Sequence, residues 1–307
     1  MEYVYEVYRE KSFSKAARKM FISQPSLSAN IRRIEERLGY PIFDRSTKPL
    51  SLTEPGRVYI RCIEQILAVE TEFSNYLNDW GGLKTGSLVL GGTNLFSSWV
   101  LPPLMAEFAR SYPQVKLVLV EESTARLERL LLDGGVDLVI DYGMLDEKLF
   151  EKRLFQNEHL LLAVPKKFEV NRVLTKWQIR PEWISDGRFL EEDIEAVPFQ
   201  AFREEPFIVL KPDNDTRKCA GKICRAYGFT PHILFELDQQ MTAYNVTCSG
   251  MGVSFIGDTL VRRVPEQPEV VYYKLPAGYS ERGLYFYWKI GRYKSQAMEK
   301  FLDLACR

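Results

Sequence analysis

Histidine is nearly absent from this 307-residue chain: His159 and His232 are the only two. They lie far apart, each in a strand-like context. No Gly-x-Ser-x-Gly, His-Glu-x-x-His or phosphate-loop pattern accompanies them, and Gly250-x-Gly252 alone is too weak to mark a dinucleotide site. Hydrolytic, zinc-protease and nucleotide-hydrolysing chemistry therefore lack their residues, and no catalytic residue, metal site or cofactor is expected. Cysteine is also scarce. Cys62, Cys219, Cys224, Cys248 and Cys306 are odd in number, scattered, and form no Cys-x-x-Cys, which argues against a disulfide framework or a structural zinc and for reduced thiols in a cytosol. No apolar run is long enough to cross a bilayer. The N-terminus lacks the basic stretch and apolar core of a signal peptide, so a cytoplasmic location without membrane contact is expected. Net charge is absent too, with 41 basic against 41 acidic residues. Repeats and low-complexity tracts are missing as well.

What is present is an ordinary globular composition, 46% hydrophobic, at a length that favours two or three domains. The charge is unevenly spread. The first sixty residues hold eleven Lys and Arg against seven Asp and Glu, a local excess suited to a phosphate backbone.

The same region reads as short helices followed by a turn-rich wing. Ser14–Met20 predicts one helix and Ser23–Leu38 the next, with small Ala16 and Ala17 allowing a close crossing. Ser23 is placed to cap the second helix, Pro25 sits in its first turn, and Gly39 ends it. Leu27, Ile31, Ile34 and Leu38 recur at helical spacing and predict one buried face. The other side carries Gln24, Pro25, Ser26, Ser28, Asn30, Arg32 and Arg33. A recognition helix puts its N-terminal residues on base edges in the major groove. Gln24 or Asn30 suits adenine, Ser26 and Ser28 suit bases or phosphates, and Arg32 and Arg33 suit phosphates. Asp44 to Thr53 reads as a two-strand wing whose Arg45 and Lys48 lie along the backbone.

From Thr53 or Pro55 to about Asp79 a long helical pattern carries Ile60, Ile63, Ile66, Leu67, Val69, Phe73, Tyr76, Leu77 and Trp80 as a stripe. A helix between domains has few surfaces of its own chain to bury such a stripe, so it reads as a dimer helix. Gly81, Gly82 and Gly86 mark a flexible break. Beyond it, strands at Leu88–Gly91, Val115–Glu121, Val136–Asp141, Leu160–Val164, Phe207–Leu210, His232–Glu236 and Val253–Ile256 alternate with helices. The helices include Ser98–Ser111, Thr124–Leu132, Arg217–Tyr227 and Asp238–Ser249. This alternation predicts an α/β class with parallel sheets covered on both faces.

The runs Ser12-Phe13-Ser14-Lys15-Ala16-Ala17, Ile22-Ser23-Gln24-Pro25-Ser26-Leu27-Ser28 and Ile31 to Gly39 resemble the LysR-type transcriptional regulators in order and spacing. So do Pro41-Ile42-Phe43-Asp44-Arg45 and Leu52-Thr53-Glu54-Pro55-Gly56. Further along, Leu101-Pro102-Pro103-Leu104, Tyr112-Pro113, Leu132-Asp133-Gly134 and Ser249-Gly250-Met251-Gly252-Val253 extend the likeness over nearly the whole chain.

The resemblance implies a winged helix-turn-helix over 1–58, a linker and dimerisation helix over 59–82, and an effector-binding domain over 86–307. That domain would have two lobes like those of type 2 periplasmic binding proteins: lobe one 86–163 with 269–307, lobe two 166–264. The chain would cross between them near Val164–Lys167 and near Pro265–Val270. The implied partners are promoter DNA, a small-molecule effector, a second copy as dimer or tetramer, and RNA polymerase. One departure is Ala29, where the family often carries Arg; Ala29 reaches only a thymine methyl, so the preferred operator differs.

In open α/β sheets ligands sit at the carboxyl ends of strands, where helix N-termini begin. That rule selects Thr93, Asn94, Phe96 and Ser97, then Thr124, Asp215, Thr216, Gln239 and Gln240. Thr93 also matches a position that often contacts effector in the family. Helix-start Ser and Thr serve more often as caps than as ligand contacts, and Asp213-Asn214-Asp215 also reads as a plain turn. An enzyme, a transporter's solute-binding protein and an interaction module that has lost DNA binding are the rival readings. The missing motifs oppose the first, and the extra N-terminal segment opposes the second.

Overall fold

Three short helices open the chain: α1 (Glu2–Glu10), α2 (Phe13–Lys19) and α3 (Gln24–Leu38). A small antiparallel ribbon follows, β1 (Phe43–Asp44) with β2 (Ser51–Leu52). The computed structural model describes residues 1–80, 86–143, 145–276 and 278–307. Helix α3 begins and ends as its sequence predicts. The Ser23 hydroxyl accepts from the Ser26 N–H at 3.3 Å, and Gly39 closes the helix at φ 76°, a left-handed turn that glycine adopts at no steric cost. Leu27 and Ile31 are fully buried among Val4, Val7, Ala16 and Ala17. Ile34 is half-buried, but Leu38, expected on the same face, is exposed, because the apolar stripe outlasts the core it packs on.

Helix α4 (Glu54–Trp80) starts beside the ribbon. The Thr53 hydroxyl donates to the Pro41 carbonyl at 2.6 Å and accepts from the Gly56 N–H at 3.0 Å. Gly56 is needed for this approach: a Cβ there would stand 2.0 Å from the Ile42 carbonyl oxygen. Ile60 and Ile63 complete the first core. The rest of the stripe, Ile66, Leu67, Val69, Phe73, Tyr76 and Leu77, is exposed in the single chain. The helix does find a partner in its own chain, which the stripe alone did not suggest: of the stripe, Tyr76 meets the Tyr293 ring edge-on, and the other contacts come from its polar side. Gln65 bonds Asp133, Glu72 accepts from the Tyr293 N–H, and Asp79 accepts from the Tyr293 hydroxyl and the Gln296 N–H. The glycine break at Gly81 and Gly82 and the Trp80 side chain lie outside the described residues.

The remainder forms two sheets. In the first, β3 (Ser87–Gly92) pairs in parallel with β4 (Lys116–Glu121) and β5 (Leu138–Tyr142). Between them run α5 (Leu101–Ser111) and α6 (Thr124–Asp133). A π-helical turn, Phe96–Val100, leads into α5, because Pro102 and Pro103 have no N–H to continue the ordinary ladder. The long strand β6 (Phe150–Pro165) enters both sheets. In the second sheet lie short α7 (Val170–Val173), β7 (Gln178–Ile179), α8 (Pro181–Ser185), β8 (Pro206–Leu210), α9 (Asp215–Ala226), β9 (His232–Leu237), α10 (Gln240–Cys248), β10 (Val253–Gly257), α11 (Asp258–Arg263) and β11 (Val270–Lys274). Finally β12 (Glu281–Lys289) returns to the first sheet, and α12 (Gln296–Ala305) covers it.

Two expectations are corrected by the strand pairing. The sheets are mixed rather than parallel: β12 runs antiparallel to β5 and β6, and β10 and β11 run antiparallel to β6. The long strand β6 carries the chain directly from the first sheet into the second, and β11 leads into β12 without an intervening helix, so no crossover forces a parallel return there. The crossings also move. Along β6 the pairing passes from β12 to β10 between His159 and Leu160, not near Val164–Lys167. The return lies between β11 and β12, not near Pro265–Val270, since 270–274 pair with the second half of β6. One apolar cluster, around Phe286 and Phe301, spans both sheets through Tyr244, Ile256 and Tyr272, and another, around Phe199 and Phe207, belongs to the second sheet.

Gly56→Ala is expected to lose about 1–3 kcal/mol of stability, because the methyl meets backbone rather than a side chain that can move. Urea unfolding followed by circular dichroism measures it.

Candidate functional site

The outward side of α3 is open. Gln24, Pro25, Ser26, Arg32 and Arg33 are exposed, and Ser28 and Asn30 are half-exposed. Buried Leu27 and Ile31 on the opposite side fix the helix's rotation. Asn30 and Arg33 line a shallow groove with Tyr3 and Arg37. Ser28 lies toward the ribbon, within 3.5 Å of Arg45. Arg45 and Lys48 are both exposed on the ribbon, and Arg45 is also engaged by the chain: it pairs with Glu35 at 3.1 Å and lies over the Phe13 ring. Glu35 is the residue that sequence reasoning missed. Its carboxylate accepts from the Ile42 N–H at 2.8 Å and the Phe43 N–H at 3.3 Å as well as from Arg45. It thereby ties the ribbon to α3. Its partners are seven to ten residues away across a turn, beyond the reach of helical periodicity.

A second site lies between the two sheets. The segment after β3, the start of α6, the start of α9 and the start of α10 converge on a cavity of about 100 Å³. Thr93, Thr124, Thr216, Gln239 and Gln240 line it, as the strand-end rule predicted. Four other candidates do not. Asn94 donates to Glu121 at 2.9 Å. Phe96 is fully buried edge-on to Tyr142. The Ser97 hydroxyl donates to the Gly92 carbonyl, and Asp215 faces Arg282 at 2.9 Å. Phe96 and Ser97 turn into the first core at the π-helical turn, whereas Asn94 precedes that turn and stays half-exposed beside Glu121. Ser123 stands at the start of α6 but makes no capping bond, whereas Asn214 caps α9 by accepting from the Thr216 N–H at 2.9 Å.

Beneath the cavity sits Arg282, which no local pattern singled out. Its guanidinium donates to Glu158, to Asp215 and to the Thr216 hydroxyl, and lies 3.4 Å from the centre of the Tyr142 ring. Glu158 is fully buried, and Gly257 is the neighbour that leaves it space, since a Cβ there would meet its carboxylate at 2.2 Å. Arg282 belongs to the first sheet and Asp215 to a helix on the second, so this ion cluster joins the two. Beside it, Asp141 accepts from the Thr124 hydroxyl at 2.7 Å and the Tyr142 N–H at 2.8 Å. Burial pushes its carboxyl up to about 6, against the opposing pull of those two hydrogen bonds and of Arg282. Among the described residues no group of three or more His, Cys, Asp or Glu is arranged to hold a metal ion, and no helix is long and apolar enough to cross a membrane.

Comparison with known proteins gives consistent matches. Residues 1–57 match the model of the bacterial regulatory helix-turn-helix proteins of the lysR family, and residues 81–306 match that of the LysR substrate binding domain. An uncharacterized HTH-type transcriptional regulator of Bacillus subtilis (strain 168), YcgK, is 32% identical over 99% of this chain and 92% of its own length. A probable RuBisCO transcriptional regulator of Trieres chinensis is 27% identical over 83% and 78%. Among solved structures, full-length CbnR complexed with its target DNA superimposes with a TM-score of 0.69 at 16% identity, covering 99% of this chain and 96% of that one. HinK from Pseudomonas aeruginosa does so at 0.57 and 21%, covering 99% and 95%.

Arg282→Met is expected to cost about 3–5 kcal/mol, because it strands Glu158 as a buried unpaired charge; thermal and urea unfolding measure it. A pH effect follows from Asp141. The folded chain keeps a proton that the unfolded chain releases near pH 4, so this group makes folding less favourable as pH rises from about 4 to about 6. Relative to the parent, Asp141→Asn should gain on the order of 2–3 kcal/mol across that window and nothing further above it. Urea melts at stepped pH values read out the difference.

Proposed function

We infer the function from membership: the chain belongs to the LysR family of transcriptional regulators. It is a DNA-binding regulator with an N-terminal helix-turn-helix and a substrate-binding domain, in a family of regulators rather than enzymes. The observation that carries the finer reading is α3 itself, polar and open on one side while Leu27 and Ile31 anchor the other. We assign Gln24, Pro25, Ser26, Ser28 and Asn30 to the floor of the major groove and Arg32 and Arg33 to phosphates, with Lys48 and Arg45 on the flanking backbone. DNA binding by full-length CbnR, a structural neighbour, supports the same use of the fold. Glu35 then acts as a positioning residue, holding Arg45 where the backbone passes.

The domain division follows the same logic: 1–58 for DNA, 59–82 as linker, 86–307 as the sensing domain. Its lobes are best drawn at the observed crossings rather than at 163 and 269. The cleft lined by Thr93, Thr124, Thr216, Gln239 and Gln240 is the place for a small-molecule effector. The exposed stripe residues Ile66, Leu67, Val69, Phe73 and Leu77 of α4 are the place for a second copy, because the polar side of the helix is already docked on its own chain. Pairs of dimers, contact with RNA polymerase and a cytoplasmic location complete the reading.

Selection of binding sites from a random DNA pool tests it. Arg33→Ala should weaken all sequences about equally and reduce the salt slope by about 1, while Gln24→Ala should change the preference at particular bases by about 1–3 kcal/mol. Uniform loss in both variants would refute the division of roles. Phe73→Glu should shift the chain toward monomer in analytical ultracentrifugation.

A further inference from the structure

Helix α3 has two flanks, and the chain furnishes them differently. Ser28 and Glu35 mark one: both meet Arg45 of the ribbon, at 3.5 Å and 3.1 Å. At about 100° per residue, Arg33 and Arg37 stand about 140° and about 180° around the helix from Ser28, on the flank away from the ribbon. There they line a shallow groove with Asn30, Ile34, Glu36 and Tyr3, the last contributed by α1. Asn30 and Arg33 belong both to this groove and to the side assigned to DNA, so the two surfaces are continuous.

The donors of the groove are unspent. Arg33 and Arg37 are exposed, and Tyr3 and Asn30 are half-exposed. Among the described residues none of the four makes a side-chain hydrogen bond or an ion pair. Other cations of the module are already held: Lys19 by Glu6 and Glu10, Arg45 by Glu35, Arg57 by Glu54. Guanidinium, amide and phenol are all groups that donate to phosphate oxygens. Glu36 alone opposes them in charge, and Ile34 is the one aliphatic member. A second hollow in the module is a poorer match, because Val7, Phe43, Leu50 and Leu52 make it apolar and its Arg57 is paired.

A helix about 10–12 Å across fills a major groove about 12 Å wide. Each flank of a seated helix therefore turns toward one of the two bordering backbones. The ribbon, with Arg45 and Lys48, takes one strand. We propose that the groove between α1 and α3 seats the sugar–phosphate backbone of the other strand, with Arg37 and Tyr3 as contacts beyond those assigned to α3 above. This rests on α3 being the reading helix. It adds that α1, which carries none of the reading residues, takes part in binding, and that each module grips both strands. Glu36 faces the same strand and weakens that grip.

The test measures the affinity of the full chain for its selected site at stepped salt concentrations. Arg37→Ala should weaken every sequence about equally and lower the slope of log K against log salt by about 1. Arg37→Lys should restore the slope. Tyr3→Phe should weaken binding about threefold to tenfold with the slope unchanged, since it removes a donor but no charge. Glu36→Gln should tighten binding to all sequences, a gain that misfolding cannot produce. Uncharged methylphosphonates, placed one at a time in each half-site, locate the contact. The position that masks Arg37→Ala should lie on the strand opposite the one that masks Lys48→Ala. An unchanged salt slope in Arg37→Ala overturns the proposal, and so do masking positions on one strand. A parent chain that binds no duplex overturns the reading of α3 itself, and this proposal with it.

Discussion

Arg282 is the interaction on which the sensing half depends. Its guanidinium is almost wholly withdrawn from water, and four groups from three separate stretches of chain close around it: Glu158, Asp215 with Thr216, and the Tyr142 ring. A charge buried this deeply persists only when its donors are satisfied, and the fork geometry of arginine satisfies several at once. Because Arg282 lies on the first sheet and Asp215 on the second, desolvating the cluster and holding the lobes together are the same event. Gly257 belongs to this arrangement, since any larger residue would occupy the space of the Glu158 carboxylate. Beside the cluster, Asp141 accepts from the Thr124 hydroxyl.

The DNA-reading half is organised by a different constraint, close backbone packing. Thr53 and Gly56 bring α4 against the Pro41–Ile42 backbone, and Glu35 draws the ribbon onto α3 with three hydrogen bonds. The outward side of α3 is therefore joined to the ribbon at one corner rather than standing as a free helix. Helix α4 joins the halves with its two sides in different roles. Its polar side is docked on the sensing domain through Glu72 and Asp79, while Ile66, Val69, Phe73 and Leu77 on its apolar side are exposed. A second copy seated on that apolar side would feel, through one rigid helix, any change at the sensing domain's surface.

Much of this was legible in the residues. Ser23, Pro25 and Gly39 delimit α3 because caps and left-handed turns are local requirements, met within four residues. The strand-end rule found Thr93, Thr124, Thr216, Gln239 and Gln240 because it needs only the order of strands and helices. Phe96 and Ser97 lie off the cavity wall, buried at the π-helical turn, and Asn94 and Asp215 are taken up by neighbouring charged partners. Parallel sheets were expected because alternation of strand and helix reveals nothing about a strand that crosses directly between lobes, as β6 does, or about β12, which returns antiparallel to it.

The sequence by itself determined the local and periodic features: the helix-turn-helix with its polar outer side, the apolar stripe of α4, the α/β alternation, and the family they resemble. Tertiary structure alone decided which charges meet. Glu158 and Asp215 reach Arg282 across 124 and 67 residues of chain, and Glu35 reaches Arg45 across a turn. No periodicity encodes such pairs, because burial energy depends on which groups share a dry space, and that space exists only once the two sheets have folded against each other.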